Sequence, residues 1–537
     1  MTLLLLFPLL MTALQHDGHG AAAKPATLVP GLGRLHHPIA TRSAEAQQFF
    51  DQGLVFIYAF NHDEAIRSFR RAAELDPASP MPHWGIALAL GPNINLDVDP
   101  EREAAAYDEA QRASALARDG AAPERAYVEA LVKRYSNDPK ADLRALAVQY
   151  KDAMRELVRA YPDDLDAATL YAESLMDLRP WQLWLPDGTP AEGTAEIVAA
   201  LEGVLRRDPS HIGANHYYIH AVEASRAPGR AGPSAQRLET LVPAAGHLVH
   251  MPAHIYMRTG NYRGAVDSNA RAAEIDREYI RTSGATGVYP MMYYNHNLDF
   301  LASAAMMTGQ RGDATRAAAM VVANAAPMIA QMPELEPFAA KTVFVLLRFG
   351  RWDDLLALPA PDATHLLLTA THHYARAVGH AALGRREEAA RERQAFAAAR
   401  DRVPAETAWG YNKASSIFAV MTPSLEAWIA RAGGDDAAAI RSWRQAVDAE
   451  DRLSYNEPPD WYYPTRESLG AALLRTRQYA EAERVFRDDL ARNPNNPRSL
   501  FGVWQALSAR KQPAAAAQRR FREAWKHADV PLTLASF

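Results

Sequence analysis

The sequence predicts an all-α fold built from repeated helix–turn–helix units. Three observations support this. Amphipathic helix pairs recur along most of the 537 residues, and several begin 34 residues apart. Beyond the first residues, no stretch is apolar for the roughly 20 residues a membrane helix needs.

The N-terminus reads as an address. Leu3 to Leu14 is a 12-residue apolar run broken by Pro8, and Ala21-Ala22-Ala23 offers a cleavage pattern ahead of Lys24. This is the length of a signal-peptide core, although no Lys or Arg precedes it. The expected division is a signal peptide at 1–23, a polar, poorly ordered lead-in at 24–45 and a repeat domain at 46–537. Export to a bacterial periplasm follows as an expectation.

Ala46 to Pro77 then reads as two amphipathic helices joined at Phe60-Asn61-His62, with Gly53, Ala65 and Ala72 placed where helices approach closely. Equivalent turns occur at Asn261-Tyr262, Gly309-Gln310, Gly350-Arg351, Gly384-Arg385, Gly434-Asp435 and Gln478-Tyr479. Aligning them puts unit starts near Ala46, Pro80, Ile212, Gly246, Asn295, Glu336 and Ala370, with later ones near 420 and 463. The intervals 46 to 80, 212 to 246 and 336 to 370 are each 34 residues. Insertions interrupt the period at Trp181–Thr194, Arg281–Tyr294 and Val403–Met421, and are expected to form loops on one face.

Over roughly residues 46–510 this pattern resembles the tetratricopeptide repeat family, whose period is about 34. The resemblance implies a superhelical solenoid in which the second, fifth and ninth places of each first helix line a concave groove.

Composition narrows the function. There are 58 Lys+Arg against 63 Asp+Glu, a net charge of −5, so the basic surplus of a generic nucleic-acid binder is missing. The absence of cysteine removes disulfides, thiolate metal sites, iron–sulfur clusters and Cys nucleophiles. There is no HExxH pair, GxSxG elbow, Walker loop or dinucleotide GxGxxG.

The 18 histidines are unevenly spread. None lies between His83 and His211, and six fall from His211 to His254. His216 and His220 are four apart, on one helix face, with Glu223 three further along. His250 and His254 repeat that spacing 34 residues later. In the repeat register they occupy the fifth and ninth places of neighbouring units. His247 and His296 hold second places, Asp299 a fifth, and Glu173 a ninth in the unit bounded by Pro162. Pro252 is expected to lie in the first turn of a helix starting near His250, which would leave His247 in the preceding loop.

A lone His on a helix is more often a satisfied core residue than a ligand. Imidazoles concentrated on one stripe, however, cost desolvation unless paired or coordinated. The expected ligands are His216, His220, His250, His254, His296 and His247, with Glu223, Glu173 and Asp299 as further ligands, orienting groups or proton acceptors. Imidazole ligation suits Cu above all, with Fe or Zn as alternatives, and the number of His would suit two ions.

Other clusters carry weaker signals. His36, His37, His16 and His19 are expected to be solvated. His373 and Tyr374 open the unit near Ala370, and Trp461 and Tyr462 belong to a rigid segment from Glu457 to Pro464. All four are candidates for substrate contact, with helix or loop packing as the plainer reading. The functional expectation is a metal-dependent oxidoreductase with a small-molecule or peptide substrate. The competing readings are a non-catalytic scaffold binding a peptide or protein, and a metal carrier with a saturated site.

Overall fold

A computed structural model describes residues 26–185 and 187–537. The signal-peptide expectation at 1–23, with His16 and His19, lies outside these residues. The chain forms two compact units: residues up to Ile255 together with Glu274–Tyr289, and Tyr256–Ala273 together with Pro290–Phe537. Among the described residues, no helix is long and apolar enough to cross a membrane.

The first unit begins with α1 (Ala44–Tyr58), α2 (His62–Leu75), α3 (Met81–Leu90), α4 (Pro100–Ala117) and α5 (Ala122–Leu131). It continues with α6 (Leu143–Ala160), α7 (Leu165–Met176), α8 (Thr194–Arg207), α9 (Ile212–Val222), α10 (Gly232–Leu241) and α11 (Gly246–His250). The helices α12 (Pro252–Thr259) and α13 (Tyr262–Ser283) follow. Successive helices pack as hairpins, α1 on α2, α3 on α4 and α7 on α8, and α1 also packs on α9. This is the expected all-α architecture of paired helices.

Local chemistry sets the helix starts. Ser43 Oγ accepts a hydrogen bond from Ala46 N and caps α1. Asp99 and Asp164 cap α4 and α7, where unpaired N–H groups favour a carboxylate. Close approach is met by glycine. A Cβ on Gly53 or Gly85 would fall 2.5 or 2.6 Å from the ring of Phe69, which lies between α1 and α3. The lead-in differs from expectation. Gln52 ties down both Val29 N and Thr27 O, Leu32 and Ile39 are buried, and Ala244 N donates to Gly31 O. From residue 26 the segment is therefore packed against the unit.

The second unit holds α14 (Asn295–Thr308), α15 (Arg311–Ala325), α16 (Glu336–Ala339), α17 (Lys341–Arg348), α18 (Trp352–Ala357), α19 (Leu366–Ala382) and α20 (Arg386–Arg400). After them come α21 (Ala414–Gly433), α22 (Asp436–Glu450), α23 (Arg466–Arg475), α24 (Tyr479–Arg492), α25 (Pro497–Ala509) and α26 (Ala515–Ala524). The turns read from sequence all separate the two helices of a pair. The glycine arrangement recurs here, with Gly470 and Gly502 placing a Cβ 2.5 and 2.3 Å from the ring of Phe486.

Two insertions are only partly loops. The stretch 281–294 ends in a π-helical turn at Tyr289–Tyr294, and 403–421 forms a two-residue hairpin and then enters α21. Both contain apolar residues that are buried by continuing the helix.

Candidate metal centre

The histidine-rich stretch folds into one buried cluster in the first unit. His216 and His220 project from α9, and Glu223 follows its last turn. The next helix starts at Gly246, earlier than expected, so His247 is helical and shares α11 with His250. Pro252 separates α11 from α12 without unwinding the chain, because a proline at a helix start lacks only an N–H that would be unpaired there. His254 lies on α12.

The five imidazoles form a closed ring. Centroid separations are 4.9 Å for His216–His220, 5.2 Å for His220–His254, 4.7 Å for His254–His250, 5.6 Å for His250–His247 and 4.9 Å for His247–His216. All five are buried, His220 being the most exposed at 6%. They do not line an open groove, because α1 and the turn after it cover α9.

The tautomers follow from the partners. His216 Nδ1 lies 2.6 Å from the Tyr58 carbonyl, which only accepts, so Nδ1–H donates and the lone pair is left on Nε2. His220 Nδ1–H donates to Glu223 Oε1 at 2.8 Å, leaving its Nε2 in the same state. These two Nε2 atoms are 3.1 Å apart, and His247 Nε2 is 3.1 Å from that of His216. The other Glu223 oxygen accepts from His254 Nδ1, and His254 Nε2 lies 2.9 Å from His250 Nε2.

Electrostatics agree. Burial, followed by the neighbouring His220, pushes the His216 imidazole well below its ordinary range. Burial also lowers His220, against the opposing pull of Glu223. Burial alone would raise the Glu223 carboxyl, but His254 and His220 hold it well below the usual carboxylate range. His216 and His220 are thus neutral imidazoles with converging lone pairs beside a charged carboxylate.

Two aromatic rings enclose it, each on a backbone with positive φ. Phe60 (φ 54°) closes the turn after α1, with its ring centroid 4.6 Å from His216 and 5.4 Å from His247. Trp181 (φ 59°) opens the insertion between α7 and α8 and sets its ring edge-on to His220 at 5.4 Å. Such backbone conformations are costly for bulky residues and persist where the surroundings over-determine them. Sequence reading identified the turn and the insertion but did not place these rings over the histidines.

The remaining candidates are not members of this ring of five. Glu173 is buried beside Asp177, which accepts from Arg134 at 2.6 Å. Burial and then Asp177 push the Glu173 carboxyl well up, so it belongs to a buried acid pair. His36 pairs with Asp51, and His37 is buried against Asp166 at 2.8 Å, which also holds Tyr58 and His211. The expectation that His37 is solvated is corrected accordingly.

In the second unit, His296 starts α14 and meets Phe300, while Asp299 is paired with Lys341. Tyr374 and Trp461 are 1% and 2% exposed in an aromatic core, and Tyr462 stacks on Phe344 at 4.8 Å. Their surroundings are those of packed core side chains. His373 hydrogen-bonds Glu392.

No family model matches the chain, and no curated protein matches it. Among solved structures, the human IFIT1 dimer with m7Gppp-AAAA is similar at 12% identity and a TM-score of 0.35, covering 92% of each chain. The APC/C hetero-tetramer Cut9–Hcn1 is similar at 13% identity and a TM-score of 0.30, covering 93% of this chain and 77% of that one.

Proposed function

We propose that this chain is a metalloprotein whose first unit binds a transition-metal ion through Nε2 of His216, His220 and His247. One observation carries the reading: His216 and His220 both commit Nδ1 to an acceptor, so their Nε2 lone pairs face each other at 3.1 Å. Two lone pairs repel at that distance, and a Lewis acid between them turns the repulsion into two bonds. The donor orientation supports the same reading, since ligating imidazoles usually give their other N–H to a carbonyl or carboxylate.

An all-imidazole set favours copper, then zinc or iron, and disfavours magnesium and calcium. Copper would bring one-electron chemistry, and we extend the proposal to a metal-dependent oxidoreductase acting on a small molecule or peptide. Within that activity this chain's residues would hold the ligands in one tautomer, and Phe60 and Trp181 would exclude water. Export to a periplasm would suit such a centre.

Elemental analysis of tag-free protein tests the reading against His216→Gln/His247→Gln. Metal in the wild type and its loss from the variant, with circular dichroism unchanged, are expected. A wild type that stays metal-free after reconstitution with copper, zinc and iron overturns it.

The second reading is a scaffold that binds a protein partner. The stacked helical hairpins favour it, because such repeats present extended surfaces without needing a cofactor. A metal-free wild type would leave this reading standing.

A further inference from the structure

We propose that the centre is dinuclear, with a second ion held between His250 and His254 and coupled to the first through the Glu223 carboxylate. This rests on the metal-binding reading above and adds a second site to it.

The first site's arrangement recurs here in part, on two helices in place of one. His254 gives its Nδ1–H to Glu223, which turns its Nε2 away from the carboxylate and toward His250 Nε2, 2.9 Å off. His250 and His254 stand four apart, as His216 and His220 do one repeat earlier. Both imidazoles of the second pair are fully buried. The ring of five imidazoles therefore has two foci, one between His216, His220 and His247 and one between His250 and His254. The focal atoms of each lie within 3.1 Å of a neighbour.

Glu223 joins the foci. One oxygen fixes a ligand of the first ion and the other a ligand of the second. A single carboxylate thereby offsets part of the charge at both, which lowers the cost of placing two cations in one buried cavity. The second focus has two imidazole nitrogens, donors that suit copper, and at 2.9 Å apart they stand as adjacent and not opposite ligands of one ion.

The full chain, stripped of metal, is titrated anaerobically with Cu(I) against a competing chelator, and bound copper is counted by elemental analysis. Two equivalents are expected for the wild type and one for His250→Gln/His254→Gln. Should the double variant fail to fold by circular dichroism, His250→Gln alone is read in the same titration, again with one equivalent expected. One equivalent in the wild type, or two retained in the variant, overturns the dinuclear inference and leaves the three-imidazole site intact. No copper bound in the wild type overturns copper binding at both sites.

Discussion

The Nδ1 atoms of His220 and His254 meet opposite oxygens of one carboxylate, that of Glu223, although the two histidines lie on different helices. Glu223 is 1% exposed, so the arrangement is sealed from water and depends on a carboxylate that accepts twice.

Glu223→Gln is the direct consequence. An amide offers one acceptor oxygen and one NH2, so one of the two Nδ1–H groups would face a donor. Metal affinity is expected to fall by about 10–100-fold, the usual effect of losing an orienting partner. Competition with a chelator of known affinity measures it, and unchanged affinity would remove Glu223 from the centre.

On the metal-binding reading, Trp181 would limit access to the site. Its ring meets His220 edge-on, and replacing it with glycine removes the ring while relieving the positive-φ backbone. Trp181→Gly is expected to release metal to a chelator faster, beyond the effect of any packing energy lost with the ring, which urea unfolding of the metal-free protein measures in parallel. Stopped-flow removal kinetics check this, and equal rates would mean the ring does not gate the site.

Gly53 and Gly203 are expected to respond in opposite directions to alanine. At Gly53 a Cβ would strike Phe69, whose other face is blocked by Gly85, so the ring has nowhere to move. A loss of about 1–3 kcal/mol is expected. Gly203 lies inside α8, where a Cβ would meet only the Arg206 guanidinium at 3.6 Å. Gly203→Ala should stabilise by about 0.5–1 kcal/mol through helix propensity. Urea unfolding of both variants separates the effects.

Asp489 gives the second unit a pH dependence. It is fully buried and accepts from Ser499 at 2.6 Å, Asn496 at 2.7 Å and Asn493 at 2.9 Å. Burial first, then Glu467, pushes its carboxyl up to about 6 from an ordinary 3.8. A raised folded-state value favours the protonated form. The stabilisation is therefore complete below about 3.8 and is lost as pH rises through about 6. Between those values the wild type should lose about 2–3 kcal/mol that Asp489→Asn does not. Urea midpoints at pH 4 and 6.5 measure the difference, and parallel curves would contradict it.

Much of the fold was readable from local rules. Turns such as Phe60-Asn61-His62 and Gly434-Asp435 are punctuation that the chain obeys wherever it packs, and the 34-residue spacing reports one hairpin per period. The His216/His220 pair was equally legible, because residues four apart share a helix face, whereas His250 and His254 have the same spacing but fall on different helices on either side of Pro252.

The sequence by itself determined the helical hairpins, their turns and the concentration of imidazoles on α9, α11 and α12. Tertiary structure decided what those imidazoles do. Register sets the direction of a side chain around its own helix, whereas convergence of Nε2 atoms depends on how helices pack and on the break at Pro252. The packing of α1 on α9 brought the Tyr58 carbonyl to His216 and the Phe60 ring over it, contacts that span about 160 positions and leave no local pattern. The same nonlocal packing brought Arg134 to Asp177 beside Glu173 and buried Tyr374 and Trp461, because a residue's place in a repeat does not specify which neighbour fills the space in front of it.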